Sequence, residues 1–266
     1  MSDITLSALT VFPVKSLRGI AVDSWDVAAR GLRMDRELML VDDSGVLVSQ
    51  REERRLALFS TELARDRIVV RAPDGAALEI AIDRRSDERV AVTVWKDTVR
   101  AEPVGRAADD WFSHRLGRSV RLVRFPDDSQ RQVDIRYAAD GDSVGFADGF
   151  PFLLTGEASL ADLSARAGQP LAMARFRPNL VVAGSAPYAE DSWRRLRIGS
   201  VELELVKPCA RCVVTTIDPD TAAAGLEPLR TLAGYRNGGG GVLFGWNLVH
   251  RTTGVLRVGD RIDILA

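Results

Sequence analysis

Both cysteines of this 266-residue chain lie in one tetrapeptide, Cys209-Ala210-Arg211-Cys212. A thiolate is the strongest soft-metal donor among protein side chains, and here the whole thiol supply meets at one place with a guanidinium between the sulfurs. The spacing is open to four readings. A thioredoxin-like dithiol needs a helix N-terminus to depress a thiol pKa, yet the residues that follow, Val213-Val214-Thr215-Thr216-Ile217, are β-branched and should not start a helix. Structural zinc needs four ligands; there is no second cysteine pair, and His114 and His250 are isolated. One cysteine could ligate a metal carried by a cofactor, with Arg211 serving the cofactor. Or both could be buried as small apolar residues.

Four cations bear on the choice: Lys15 after a proline at a strand end, Arg36 in Leu32-Arg33-Met34-Asp35-Arg36, Arg177 opening Arg177-Pro178-Asn179, and Arg211 itself. Gathered in space they would bind a phosphate, because guanidinium forks match phosphate oxygens. Ser16 and Thr215 could add hydroxyl donors. Phe244-Gly245-Trp246-Asn247 reads either as a pocket wall or as a core strand. The chain has no Walker loop, no Gly-x-Gly-x-x-Gly and no His-Glu-x-x-His, and Gly238 to Gly241 lacks the lysine and helix start of a phosphate loop. Neither histidine shows a nucleophile triad in sequence.

The elements that must position these groups read as mainly β with some α. In the first half, Ile4, Leu6, Leu9, Val11 and Val14 alternate; Glu37 to Val41 and Val46 to Ser49 flank the turn Asp42-Asp43-Ser44-Gly45; Arg67 to Arg71 and Ala77 to Ile82 flank Pro73-Asp74-Gly75; Val90 to Trp95 follows. Short strands at this spacing predict a barrel or sandwich. Ala107 to Leu116 predicts a helix stopped by Gly117, and Ser119 to Phe125 a strand. Residues 126–148 are polar and turn-rich, the expected boundary between a lobe at 1–125 and another at 126–266. Beyond it, Glu157 to Arg166 predicts a helix stopped by Gly168. Leu180 to Ala183, Val201 to Val206, Val242 to Val249 and Arg261 to Leu265 predict strands. Leu226, Leu229, Leu232 and Tyr235 predict a helix, and Gly238 to Gly241 a flexible loop.

Apolar residues make up 46% and charged residues 27%, the composition of an ordinary globular protein. A net charge of −1 and a pI near 6.2 give no nucleic-acid footprint. Arginine supplies 33 of the 36 basic residues. No apolar run is long enough to span a bilayer. The start, Met1-Ser2-Asp3-Ile4-Thr5, has no signal-peptide pattern, and two cysteines three apart are no disulfide framework. The cytoplasm is the expected compartment.

Several motifs, in order along nearly the whole chain, resemble the MOSC family, named for the C-terminal domain of molybdenum cofactor sulfurases. They are Phe12-Pro13-Val14-Lys15-Ser16, Gly31-Leu32 with Asp35-Arg36, Gly156-Glu157-Ala158-Ser159-Leu160-Ala161-Asp162-Leu163, Phe176-Arg177-Pro178-Asn179, Tyr188-Ala189-Glu190-Asp191-Ser192-Trp193, Cys209-Ala210-Arg211-Cys212 with Thr215 to Thr221, and Leu243-Phe244-Gly245. The chain is most similar to the branch with an N-terminal β-barrel lobe, that of the mitochondrial amidoxime-reducing component and its bacterial relatives. The resemblance implies a β-barrel-like N-terminal lobe packed on a C-terminal MOSC β-barrel with a few short helices. It implies a molybdenum–molybdopterin cofactor (Moco) between the lobes, with Cys212 as protein ligand to the metal. Lys15, Ser16 and Arg36 from the first lobe and Arg177, Ala210 and Arg211 from the second would contact the cofactor, with Asn179, Gly149 and Phe150 as further contacts. Asn247 stands where the mitochondrial relative carries a tyrosine. The implied activity is reduction of small N-hydroxylated compounds, with oxygen transferred to molybdenum. Electrons would come from a separate electron-transfer protein, ferredoxin-like or a b-type cytochrome with its reductase, since the sequence ends at Ala266 with no further cysteines. A cofactor carrier or sulfur-transfer protein is the alternative the same resemblance allows.

Overall fold

The computed structural model describes residues 3–266; Met1 and Ser2, which open the segment read for a signal peptide, lie outside the described residues. The molecule is mainly β, with three α-helices among the described residues. Its largest sheet has strands in the order Ile262–Ile264, Arg195–Ile198, Val201–Arg211, Gly241–His250, Phe152–Gly156, Leu180–Ala183, Thr5–Val11 and Ile20–Ala21. Every neighbouring pair on that path is antiparallel except Phe152–Gly156 with Leu180–Ala183, which the helix Glu157–Ala167 connects as a crossover. The sheet curls until Thr5 bridges Arg261 and Ile262 N–H reaches the Ile4 carbonyl, so its two ends meet. Leu6, Leu9 and Val11 from the start of the chain thereby fill the same core as Leu154, Leu180, Leu203 and Leu248. Val27 and Leu32 join that core, carried by a small sheet in which Ser24–Ala28 pairs with Gly254–Arg257.

The other lobe uses three-stranded Ser60–Ala64, Arg67–Arg71, Ala77–Ala81 and four-stranded Leu38–Val41, Arg121–Arg124, Asp97–Pro103, Val90–Val94. Side chains of a strand alternate between faces. Leu38 and Leu40 therefore enter one core, with Phe112 and Leu116 of the helix Arg106–Leu116, while Met39 and Val41 enter another, with Phe125 and Phe146. Both predicted long helices form, and each ends on a glycine in the left-handed region, Gly117 at φ +63° and Gly168 at φ +67°.

Four local expectations change. Val46 and Leu47 make single bridges to Thr93 and Val41 rather than a second hairpin strand. The helix expected around Leu226 to Tyr235 is one short piece, Leu229–Ala233, because Pro228 stands at its start and Leu226 is exposed. The glycine run is a tight hairpin turn in which Asn237 pairs with Val242 and Gly238 with Gly241. The strand expected at Val201 to Val206 runs on to Arg211 and carries the first three residues of the cysteine motif. Residues 126–148 form no helix or strand, yet Arg131, Val133, Val144 and Phe146 within them are buried. No helix among the described residues is long and apolar enough to cross a membrane.

Candidate functional site

The backbone brings the thiols to a cleft. The strand Val201–Arg211 is irregular at Leu205/Lys207 and again at Pro208/Ala210. Such bulges re-aim side chains and accommodate a proline within a sheet. The β-branched run after Cys212, expected not to start a helix, forms one 3₁₀ turn, Val213–Thr216. Thr215 and Thr216 hydroxyls donate to the carbonyls of Cys212 and Val213 at 3.0 and 2.8 Å, which lets β-branched residues hold a helical turn. From Cys209 to Cys212 the chain is extended, Cys212 having φ −117° and ψ 178°. The near-extended chain between them holds the two Cα atoms apart and disfavours the dithiol reading. Both thiols are half-buried and free, so neither is a fully buried apolar filler. Among the described residues no group of three His, Cys, Asp or Glu side chains is placed to hold a metal by itself.

The cleft beside them, of about 410 Å³, is lined by Lys15, Ser16, Arg36, Gly149, Phe150, Arg177, Asn179, Ala210, Arg211, Cys212 and Asn247. Every residue singled out in sequence as a contact therefore faces one space, although they span positions 15 to 247. Of the eight non-glycine residues with positive φ among the described residues, four line this cleft: Ser16, Arg36, Trp95 and Arg177. Strained backbone concentrates where function requires it.

Phe12 organises the cations. The Arg36 and Arg177 guanidiniums lie 4.2 and 4.4 Å from its ring centroid, an arrangement stabilised by the negative face of the ring. Asp35 accepts from Phe12 N at 2.8 Å and from Arg36 Nη1 at 2.5 Å. Asn179 accepts from Arg36 Nη1 at 3.0 Å and donates to Asp35 Oδ1 and the Thr10 carbonyl, both at 3.1 Å. Its amide is committed to the protein, so Asn179 is the post that fixes Arg36 across the two lobes. Arg177 Nη1 donates to the Leu17 carbonyl at 2.7 Å. Arg211 donates to Cys209 Sγ at 2.8 Å and to the Phe176 carbonyl at 2.6 Å. Lys15 Nζ, 5% exposed as a residue, donates to the Phe146 carbonyl at 2.7 Å and to Asp148 Oδ1 at 2.5 Å. Asn247 Nδ2 donates to the Lys207 carbonyl at 3.3 Å. Thr215 lines the cleft, but its hydroxyl is spent on the Cys212 carbonyl.

This arrangement carries excess positive charge. Six cations line the cleft (the four above, Arg51 and Lys207) against one carboxylate, Asp148. Burial, and then the charge of Arg36, push the Arg177 guanidinium well below its ordinary pKa. Burial also lowers Lys15, against the opposing pull of Asp148. Arg211 Nε is buried with no hydrogen-bond partner. Clustered, desolvated cations with an unfilled donor are a receptor for an anion. Beside them stand two thiols; Cys209 Sγ accepts from Arg211, which leaves Cys212 as the uncommitted soft donor. A cofactor with a phosphate tail and a metal seeking a thiolate fits this donor set.

Six residues escaped the sequence reading. Phe12 and Asp35 lie inside quoted motifs, and their stacking and anchoring roles need coordinates to see. Asp148 closes the polar, turn-rich stretch 126–148, and Trp95 ends an apolar alternation, so neither stands out by type or spacing. Arg51 and Lys207 carried no signal at all.

The sequence matches two family models in chain order, the MOSC N-terminal beta barrel domain over residues 3–119 and the MOSC domain over residues 141–263. The chain is 35% identical over 280 residues to mitochondrial amidoxime-reducing component 1 of Homo sapiens, covering 98% of this chain and 83% of that protein. It is 34% identical over 242 residues to mitochondrial amidoxime reducing component 2 of Macaca fascicularis, covering 87% and 72%. To component 1 of Danio rerio it is 31% identical over 272 residues, covering 97% and 83%.

Proposed function

The chain belongs to the MOSC family, in the branch that pairs a MOSC N-terminal beta barrel domain with a MOSC domain, and from that premise we propose that it is a molybdenum-cofactor-dependent oxidoreductase acting on small N-hydroxylated compounds. The observation that carries this reading is the meeting of Cys212 with Lys15, Arg36, Arg177 and Arg211 in one cleft. Kinship with amidoxime-reducing components at this identity supports it.

In the proposed mechanism the cofactor, when bound, supplies two-electron chemistry at an N–O bond, yielding the reduced nitrogen compound and water from two electrons and two protons. The protein's part is to bind, orient and compensate. Cys212 offers its sulfur to the metal, and the 3₁₀ turn behind it fixes the backbone through Thr215. Arg36, held by Asp35, Asn179 and the Phe12 ring, is pre-set to receive an anionic oxygen with little further loss of side-chain freedom. Arg177, Arg211 and Lys15 complete that receptor, with Ser16, Ala210, Gly149 and Phe150 closing its walls. Both thiols of these 266 residues face the cleft, so neither is available to an iron–sulfur cluster elsewhere in the chain. Electrons are proposed to arrive from a separate electron-transfer protein of ferredoxin or b-type cytochrome kind. Two unpaired thiols favour a reducing compartment, and we place the protein in the cytoplasm.

The test is molybdenum per chain and released pterin in purified protein, with turnover of benzamidoxime driven by reduced methyl viologen. Cys212→Ala should stay folded and lose turnover. Full activity in that variant, or wild-type protein free of molybdenum after expression with a cofactor supply, would end the proposal. A loaded protein that never turns over would instead be a carrier or sulfur-transfer protein.

A further inference from the structure

The mouth of the cleft holds a tryptophan in a backbone conformation that tryptophan ordinarily avoids. Trp95 and Lys96 form the two-residue turn joining Val90–Val94 to Asp97–Pro103, with Val94 paired to Asp97. Trp95 has φ +56°, a left-handed value that hairpin turns usually assign to Gly, Asn or Asp. The residue is 37% exposed, so burial in a core does not compensate the strain. Polar contacts hold it instead. Its Nε1 donates to Asp148 Oδ1 at 3.0 Å, and the Arg51 guanidinium lies 4.1 Å from the ring centroid. Strain retained at the rim of a cleft points to a task there.

Asp148 is the partner that task concerns. It is the one carboxylate among the residues lining the cleft. Its donors, Lys15 Nζ and Trp95 Nε1, both sit on Oδ1, and the side chain is 75% exposed. Oδ2 takes no hydrogen bond among the described residues and is left as a free acceptor on a side chain that lines the cleft beside six cations. We propose that Asp148 selects the substrate, its Oδ2 accepting from an amino group on the carbon bonded to the N–O nitrogen, and that Trp95 is the positioning residue that aims it. The proposal rests on the reductase reading above and deepens it. An N-hydroxylated amidine presents an amino group, with N–H donors, on that carbon. A hydroxamic acid presents a carbonyl oxygen at the corresponding place, where a carboxylate oxygen repels it. The cleft should therefore prefer the amidine class.

The measurement is binding to the oxidised, cofactor-loaded protein without reductant, by calorimetry, for benzamidoxime and benzohydroxamic acid. Asp148→Asn should weaken benzamidoxime about tenfold and leave benzohydroxamic acid unchanged or tighter. Trp95→Phe, which removes the indole N–H and keeps a ring, should shift the same ligand in the same direction by less. With reduced methyl viologen, Asp148→Asn should raise the benzamidoxime KM more than it lowers kcat. Equal weakening of both ligands, no change in either, or loss of molybdenum from Asp148→Asn would overturn the proposal. Absence of wild-type turnover would sink the reductase reading, while the two binding constants would still decide this one.

Discussion

At the scale of single residues, the cleft is built around charges that the folded chain does not neutralise itself. Among the described residues Arg177 and Arg211 form no ion pair with a carboxylate, their guanidiniums donating to the Leu17 and Phe176 carbonyls and to Cys209 Sγ, and Arg211 Nε has no partner. An uncompensated buried cation destabilises the folded state. Anything that supplies negative charge should therefore stabilise the protein by mass action, by about 2.7 kcal/mol at a hundredfold excess over its dissociation constant. Inorganic phosphate is expected to raise the melting temperature of cofactor-free protein, and Arg177→Met to cut most of that rise. An equal rise in the variant would mean that phosphate acts by general exclusion from the surface rather than at the cleft. Replacing Cys209 by Ser is expected to leave molybdenum content intact, in contrast to Cys212→Ala. Cys209 faces Arg211 from the strand, whereas Cys212 opens the 3₁₀ turn.

At the scale of elements, the helix Glu157–Ala167 is anchored from outside itself. No side chain of its own caps its N-terminus. Glu190, 1% exposed, packs beside Gly156 and accepts from Ser159 Oγ at 2.7 Å, and Ser159 Oγ in turn accepts from Tyr188 N at 2.8 Å. Burial, only partly offset by the Ser159 hydrogen bond, pushes the Glu190 carboxyl above its ordinary 4.5. A raised carboxyl pKa means that the folded state holds its proton longer than the unfolded chain. The stability it contributes is complete below about pH 4.5 and is lost as pH climbs through the raised value. Glu190→Gln should flatten that slope, matching wild type in urea at pH 4.5 and equalling or exceeding it at pH 7.5. Glu190→Ala should cost about 1–3 kcal/mol at low pH, by leaving the Ser159 hydroxyl without its acceptor. A parallel pH profile for wild type and Glu190→Gln would contradict this account.

At the scale of the whole molecule, the two halves of the chain are interlocked. Thr5–Val11 lies between Leu180–Ala183 and Ile20–Ala21 in the largest sheet, and Ser24–Ala28 pairs with Gly254–Arg257 near the end of the chain. A fragment starting at residue 126 would leave Leu180–Ala183 as an open edge and remove Leu6, Leu9, Val11, Val27 and Leu32 from its core. Such an edge invites aggregation. Residues 126–266 alone are expected to show no cooperative thermal transition, and co-expression with residues 1–125 to restore one. A sharp melt from the isolated fragment would refute the interlock.

The residues themselves determined much of this. Alternating apolar positions placed most strands, glycines marked the ends of both long helices, and scattered motifs named every cleft contact proposed from the family resemblance. Those signals are local, or live in types and order along the chain, and a sequence displays both directly. Other features arise only when distant segments meet. The stacking of Arg36 and Arg177 on Phe12, the commitment of the Asn179 amide to Asp35, and the pairing of Trp95 with Asp148 join residues 24 to 165 positions apart. The strand that carries Cys209 is bulged by its pairing with Gly241–His250, and the β-branched run after Cys212 turns because two hydroxyls bond back to its own backbone. Intrinsic propensity is weak beside such tertiary and side-chain contacts, and for that reason the shape of the site was left to the fold.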